Sequence, residues 1–198
     1  QILAVDLGTD MVPALALGAE KPDADMMARP PRPRTERLMN LPLLLRAYVF
    51  LGMIEAGVAM GSFFLLLLTQ GWTWGMPLEW SDPLYKQATT ATFAAIVVAQ
   101  VANVFACRSD HLSATRLGWF SNPLILWGIV MELTILALIT YTPIGNEIFG
   151  TSPLPLWFFG PLVLGALTLL LAEEGRKFLI NRHHRSPNSR ATQIVSPS

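Results

Sequence analysis

Four stretches of this chain are apolar over most of their length: residues 43–69, 88–107, 122–141 and 155–172. A helix needs about 20 apolar residues to cross the hydrocarbon core of a bilayer. Runs this long and this close together cannot be the cores of soluble helices, because too few charges remain to make a polar outer face. Only 14% of the residues are charged, against about 25% in soluble domains. The expected fold is therefore all-α, a polytopic bundle of about five transmembrane spans. The fifth span, over residues 2–19, is short and holds Asp6, Gly8, Asp10 and Pro13.

The loops orient the bundle. Cytoplasmic connections carry an excess of Lys and Arg. The first connection holds Lys21, Arg29, Arg32, Arg34 and Arg37, with Arg46 opening the next span. The second holds only Lys86, the third Arg108 and Arg116, and the fourth no basic residue. The tail holds Arg176, Lys177, Arg182, Arg185 and Arg190. This alternation places the first and third connections and the C-terminus in the cytoplasm. Trp72, Trp74, Trp80 and Trp157 gather toward the opposite side and Trp119 toward the basic side, as interfacial indoles do; Trp127, inside a span, reads as packing. The same orientation starts Gln1 near the outer face. With no initiator Met and no signal peptide, that implies further chain upstream.

The zero net charge gives no reason to expect a nucleic-acid partner. A single cysteine, Cys107, excludes an internal disulfide. His183 and His184 in a basic polar tail read as solvated. Four divisions result: 1–19, a partial ion-site helix; 20–42, a Pro/Arg-rich cytoplasmic loop; 43–180, a four-helix scaffold; and 181–198, a disordered cytoplasmic tail. The loop is centred on Arg29, Pro30, Pro31 and Arg32, and is either a solvated linker or a docking surface.

Ionisable groups inside spans are costly and therefore functional candidates. Asp6, Thr9 and Asp10 recur at helical spacing and present three oxygen-bearing side chains on one face. Hard cations take oxygen ligands. Gly8 and Pro13 loosen the helix around them, so backbone carbonyls could join the set, as in broken transporter helices; structural pairing of the two acids is the alternative. Gln100 and Asn103 share a face of the third span, lining the same cavity or hydrogen-bonding between helices. Glu55 and Glu132 are candidates for a further ion or proton site, or for glutamates held protonated by burial. Gly57 and Gly61 form a GxxxG step that permits close helix approach. Glu173, Glu174, Arg176 and Lys177 end the last span and read as interfacial ion pairs.

The run Asp6-Leu7-Gly8-Thr9-Asp10-Met11-Val12-Pro13 resembles the sixth transmembrane helix of type II P-type ATPases, the group of the calcium pumps and sodium/potassium pumps, and most closely the sodium/potassium form. Met26-Met27-Ala28-Arg29-Pro30-Pro31-Arg32 resembles the loop leading to the family's seventh helix. Glu174-Gly175-Arg176-Lys177-Phe178-Leu179-Ile180 resembles the close of its tenth. The resemblance spans nearly the whole chain.

It implies that Asp6, Thr9 and Asp10 coordinate the transported cation (calcium, sodium/potassium or similar). It matches Gln100 and Asn103 to eighth-helix positions near the ions, and Glu132 to a ninth-helix acid of a sodium site. It gives Arg29, Pro30, Pro31 and Arg32 the role of a loop coupling ATP use to ion movement; Glu55 matches no family position. The Asp-Lys-Thr-Gly-Thr phosphorylation motif, the nucleotide and actuator domains and the fourth helix lie outside this chain. It is thus expected to be a non-catalytic part of an ATP-driven cation translocase. Mg-ATP would act through upstream domains, and the partners would be the lipid bilayer and the rest of the pump. The expected location is the plasma or inner membrane. A stand-alone, non-enzymatic membrane bundle, either an accessory subunit or an ion-coupled carrier, is the alternative.

Overall fold

The structure, a computed structural model, describes residues 1, 11–20, 39–109 and 118–185. All the regular structure among these residues is helical. Helix α1 is Met11–Gly18, α2 Leu41–Thr69, α3 Pro83–Cys107, α4 Pro123–Tyr141, α5 Pro143–Phe149 and α6 Phe159–Arg185, the last entered through a 3-10 turn at Leu156–Phe158. Four described helices are long and apolar enough to cross a membrane: Leu41–Thr69, Pro83–Cys107, Pro123–Tyr141 and Leu156–Ile180. The fifth expected span is described only from Met11 onward.

Four helices start by the same device. Asn40, Asp82, Asn122 and Thr142 each accept a hydrogen bond from a backbone N–H of the first turn, and a proline occupies the first or second helical position. The side-chain oxygen satisfies an orphan donor, while proline sits where no donor is needed. This explains why α3 starts before residue 88. Tyr85, Lys86 and Gln87 break the apolar pattern, yet Asp82 and Pro83 have already nucleated the helix. At the other end of the chain α6 continues through polar residues to Arg185, because leaving the apolar run does not by itself stop a helix. Helix α5 was not expected from the sequence. Thr142 starts it, and Gly150 at φ +63° closes it in the left-handed conformation open to glycine. Gly145 lets α5 fold back on α4, since a Cβ there would lie 2.5 Å from the Leu138 carbonyl oxygen and 2.7 Å from that of Ile139.

Helix α3 is the axis of the bundle and packs against α1, α2, α4 and α6. Its alanines make this possible. Ala88, Ala91, Ala95, Ala99, Ala102 and Ala106 are all buried and recur at three- and four-residue steps, a small-residue stripe that lets neighbouring helices approach closely. The close approach expected at Gly57 and Gly61 is not found there: nothing among the described residues lies within 4 Å of a Cβ added at either. It occurs instead where Gly165 of α6 faces Val58 of α2.

The core contacts give an up-and-down order. Leu66 and Leu67 of α2 meet Phe93 and Val97 of α3, Leu136 of α4 and Leu162 of α6. Toward the other end, Leu51 meets Ala99, Ala102, Ala106 and Leu169, and Ala16 of α1 meets Val104 and Ile125. One end therefore gathers Arg46, Arg108, Arg176 and Lys177, and is called the basic end. The opposite end carries Trp72, Trp74, Trp80 and Trp157, with Trp74 and Trp80 exposed. Gln1 lies at that far end, where its side-chain amide donates to the Phe149 carbonyl at 3.2 Å. Gln1 and Ala16 therefore lie toward opposite ends of the bundle. Met53, Leu164, Leu171 and Trp127 stay exposed, so Trp127 presents its indole outward and is not packed in the core. Such apolar surface suits lipid or further transmembrane helices.

Candidate cation site

Asp6, Thr9 and Asp10, and the loop residues Arg29, Pro30, Pro31 and Arg32, lie outside the described residues. The described part of their segment is α1, which starts immediately after Asp10. Pro13 and Ala16 of α1 are buried, Ala16 against Val104 of α3 and Ile125 of α4. The first segment is thereby seated on α3 and α4.

Gln100 and Asn103 are half-buried on α3. The Cys107 thiol donates to the Asn103 side-chain oxygen at 3.4 Å. Glu132 is on α4 and only 1% exposed. The register between these antiparallel helices follows from their contacts: Val104 packs in one cluster with Ile125 and Ile129. One turn toward the far end from Val104 is Gln100, and one turn toward the far end from Ile129 is Glu132. An amide and a carboxyl therefore stand at matched depth on adjacent helices, in the interior of a helix pair on which α1 also packs. Glu55 is half-buried on α2, and α2 packs chiefly on α3 and α6. The fold thus brings together α1, α3 and α4, of which α3 carries Gln100 and Asn103 and α4 carries Glu132.

A polar network at the basic end had not been singled out in the sequence. Arg108, just past α3, grips Glu20, just past α1: its Nη2 donates to Glu20 Oε1 at 2.6 Å and its Nε to Oε2 at 3.2 Å. Nη1 donates to the Gly118 carbonyl at 2.7 Å, and Nη2 also reaches the Ser121 hydroxyl. Gly118 has φ +82°, a left-handed conformation that glycine adopts without strain. Asn122 caps α4 through its side-chain oxygen, accepting from Leu124 N at 3.1 Å and Ile125 N at 3.4 Å. The amide nitrogen of the same side chain donates to the Ala16 carbonyl at 3.0 Å and to Glu20 Oε2 at 2.8 Å. Both ends of the amide are thereby used. The Arg108 side chain is 1% exposed and that of Glu20 18%. The Arg108 hydrogen bonds hold the Glu20 carboxyl below its ordinary pKa of 4.5, helped by Asn122 and opposed by partial burial. The signals in the sequence were weak. An Arg closing one apolar run and an Asn-Pro opening the next each have an ordinary topological or capping meaning.

A second network joins α2, α3 and α6. Glu173 is fully buried and accepts from Arg46 at 2.6 Å and from Arg176 at 2.9 and 2.6 Å. Lys177, 2% exposed, donates to the Ala106 carbonyl at 2.8 Å and stands 3.6 Å from Glu174. The ion pairs expected at the end of the last span are present. They also reach across to α2 and hold a carbonyl in the last turn of α3. Among the described residues, no group of three or more His, Cys, Asp or Glu side chains is arranged to hold a metal ion.

Comparison with known proteins is consistent along the whole chain. A family described as "Cation transporting ATPase, C-terminus" matches residues 1–179. The chain is 31% identical over 208 residues to the sodium/potassium-transporting ATPase subunit alpha-1 of Anguilla anguilla, covering 92% of this chain and 20% of that protein. It is 31% identical over 211 residues to the sodium/potassium-transporting ATPase subunit alpha of Tetronarce californica, with the same coverage. It is 32% identical over 208 residues to the subunit alpha-3 of Rattus norvegicus, again over 92% of this chain and 20% of the relative. The chain spans about a fifth of the length of these curated relatives.

Proposed function

This chain belongs to the cation-transporting P-type ATPases, as their C-terminal membrane region, and from that premise we propose that it supplies cation ligands and the scaffold around them to an ATP-driven pump. Asp6, Thr9 and Asp10 coordinate the transported cation, with Gln100 and Asn103 completing the shell from α3. Glu132 on α4 and Glu55 on α2 provide a further ion or proton site. The observation that carries this reading is Glu132, a carboxyl 1% exposed at the depth of Gln100 inside the helix pair that seats α1. A carboxyl in that setting is costly unless a cation or proton offsets its charge. Oxygen ligands of this type select hard cations such as calcium, sodium or potassium.

The chain's own residues bind and release; they do not hydrolyse ATP. Phosphorylation by Mg-ATP takes place in domains upstream of this chain. Those domains drive transport only if the cation binds the pump's two states with different affinity, since uniform binding shifts no equilibrium. Arg29, Pro30, Pro31 and Arg32 form the loop that carries the phosphorylation state to the membrane helices. The basic end and the C-terminus face the cytoplasm in the plasma or inner membrane.

The test is made on the full-length pump. Asp10→Ala should abolish cation-stimulated ATPase activity while leaving the protein in the membrane at its normal level. Unchanged cation dependence in Asp10→Ala would sink the assignment.

A further inference from the structure

Helices α1, α3 and α4 end in one polar knot. Asp6, Thr9 and Asp10 precede α1, which finishes next to Glu20. Gln100 and Asn103 are on α3, which finishes next to Arg108. Glu132 is on α4, which Asn122 starts. Arg108 and Asn122 both donate to the Glu20 carboxylate, at 2.6 to 3.2 Å, and Asn122 additionally holds the Ala16 carbonyl of α1. No other described polar network touches all three elements.

We propose that Glu20, Arg108 and Asn122 are positioning residues that set the spacing of α1, α3 and α4, and through it the affinity of the cation site. The inference rests on the cation-pump reading above. Its physical basis is that ligands from separate helices form a good site only if those helices are held in fixed relation. Helix α1 is tied down at its basic end. The tie is directional as well as strong: the guanidinium meets the carboxylate through two parallel bonds. Asn122 Oδ1 fixes the first turn of α4 while its Nδ2 fixes the last turn of α1. A slip of either helix breaks a bond to the other.

The experiment uses the full-length pump in native membranes, with ATPase activity titrated in turn against sodium, potassium and calcium chloride. Glu20→Gln and Arg108→Gln should each raise the half-activating concentration of the activating cation about tenfold, within the usual range of coupling energies. Maximal turnover should change much less. The double variant should shift affinity no further than either single one, because both remove the same bond. Arg108→Lys, which keeps the charge and loses the fork, should fall between wild type and Arg108→Gln. If Arg108→Gln does not accumulate, Glu20→Gln and Arg108→Lys carry the same reading. A cation-dependent wild type whose half-activating concentration is unmoved in the variants, even if their melting temperature drops, would overturn the positioning role alone. A wild-type pump indifferent to every cation would overturn the cation-pump reading and the knot's role with it.

Discussion

At the scale of single residues, the ionisable groups divide by what surrounds them. Glu132 lies within a span with its carboxyl in the interior of the bundle. Glu20 lies beyond the end of α1, between a guanidinium and an amide. The second environment favours the charged form, so the pKa of Glu20 is lower in the folded protein than in the unfolded chain. The sign of the linkage follows. The Arg108–Glu20 pair contributes its full stability above the unfolded value near 4.5, and loses it as pH falls through the lower folded value. Thermal melts of the detergent-solubilised pump should show a drop as pH falls below about 4.5 that is smaller in Glu20→Gln. An equal drop in both proteins would show that other carboxylates dominate. Glu173 shows a third environment, a carboxylate that accepts from two arginines on different helices.

At the scale of elements, each helix reflects a division between what starts it and what seats it. Side-chain caps followed by proline start α2, α3, α4 and α5. Seating is done by α3's alanine stripe and by two polar networks at the basic end. The stripe permits close approach but is weak on direction, since apolar packing in a membrane has lipid as its competitor. The networks supply the missing direction. Glu173→Ala removes an acceptor of both Arg46 and Arg176, whose side chains are 13% and 22% exposed, and leaves partly buried positive charge at the α2–α6 junction. It should lower the melting temperature in detergent, and Glu173→Gln, which keeps an acceptor, should lower it less. A melt of Glu173→Ala indistinguishable from wild type would mean that the network adds nothing to seating.

At the scale of the whole molecule, the bundle is asymmetric from end to end. Arg46, Arg108, Arg176 and Lys177 mark one end, and the exposed indoles of Trp74 and Trp80 the other. That asymmetry predicts the topology. With Cys107→Ser as background, Glu79→Cys should react with an impermeant maleimide on intact cells, and Arg182→Cys only after permeabilisation. The reverse pattern would invert the proposed orientation. Both positions are exposed in the structure, so failure to label from either side would report the membrane rather than burial. The same asymmetry separates two tasks: the basic end ties helices together, while Gln100 and Glu132 lie deeper, toward the middle of their spans.

How much of this the amino-acid order determined depends on the range of the interaction concerned. The four long spans were legible, because a bilayer acts on each run of about 20 residues separately. The buried acid Glu132 was legible for the same reason: a carboxyl within an apolar run is conspicuous wherever the run is placed. The helix starts at Pro83 and Pro143 depended on short capping signals that the hydropathy pattern obscured. Three features needed the tertiary structure. The GxxxG step at Gly57 and Gly61 was a sound local motif, but helix contact depends on which face a neighbour offers, and the alanines of α3 offered it. The shared depth of Gln100 and Glu132 is a matter of register between helices. The union of Glu20, Arg108 and Asn122 joins residues separated by 88 and 102 positions, and no spacing within the chain encodes it. Local solvation wrote the spans into the sequence, whereas the meeting of distant polar groups was decided only when the helices packed.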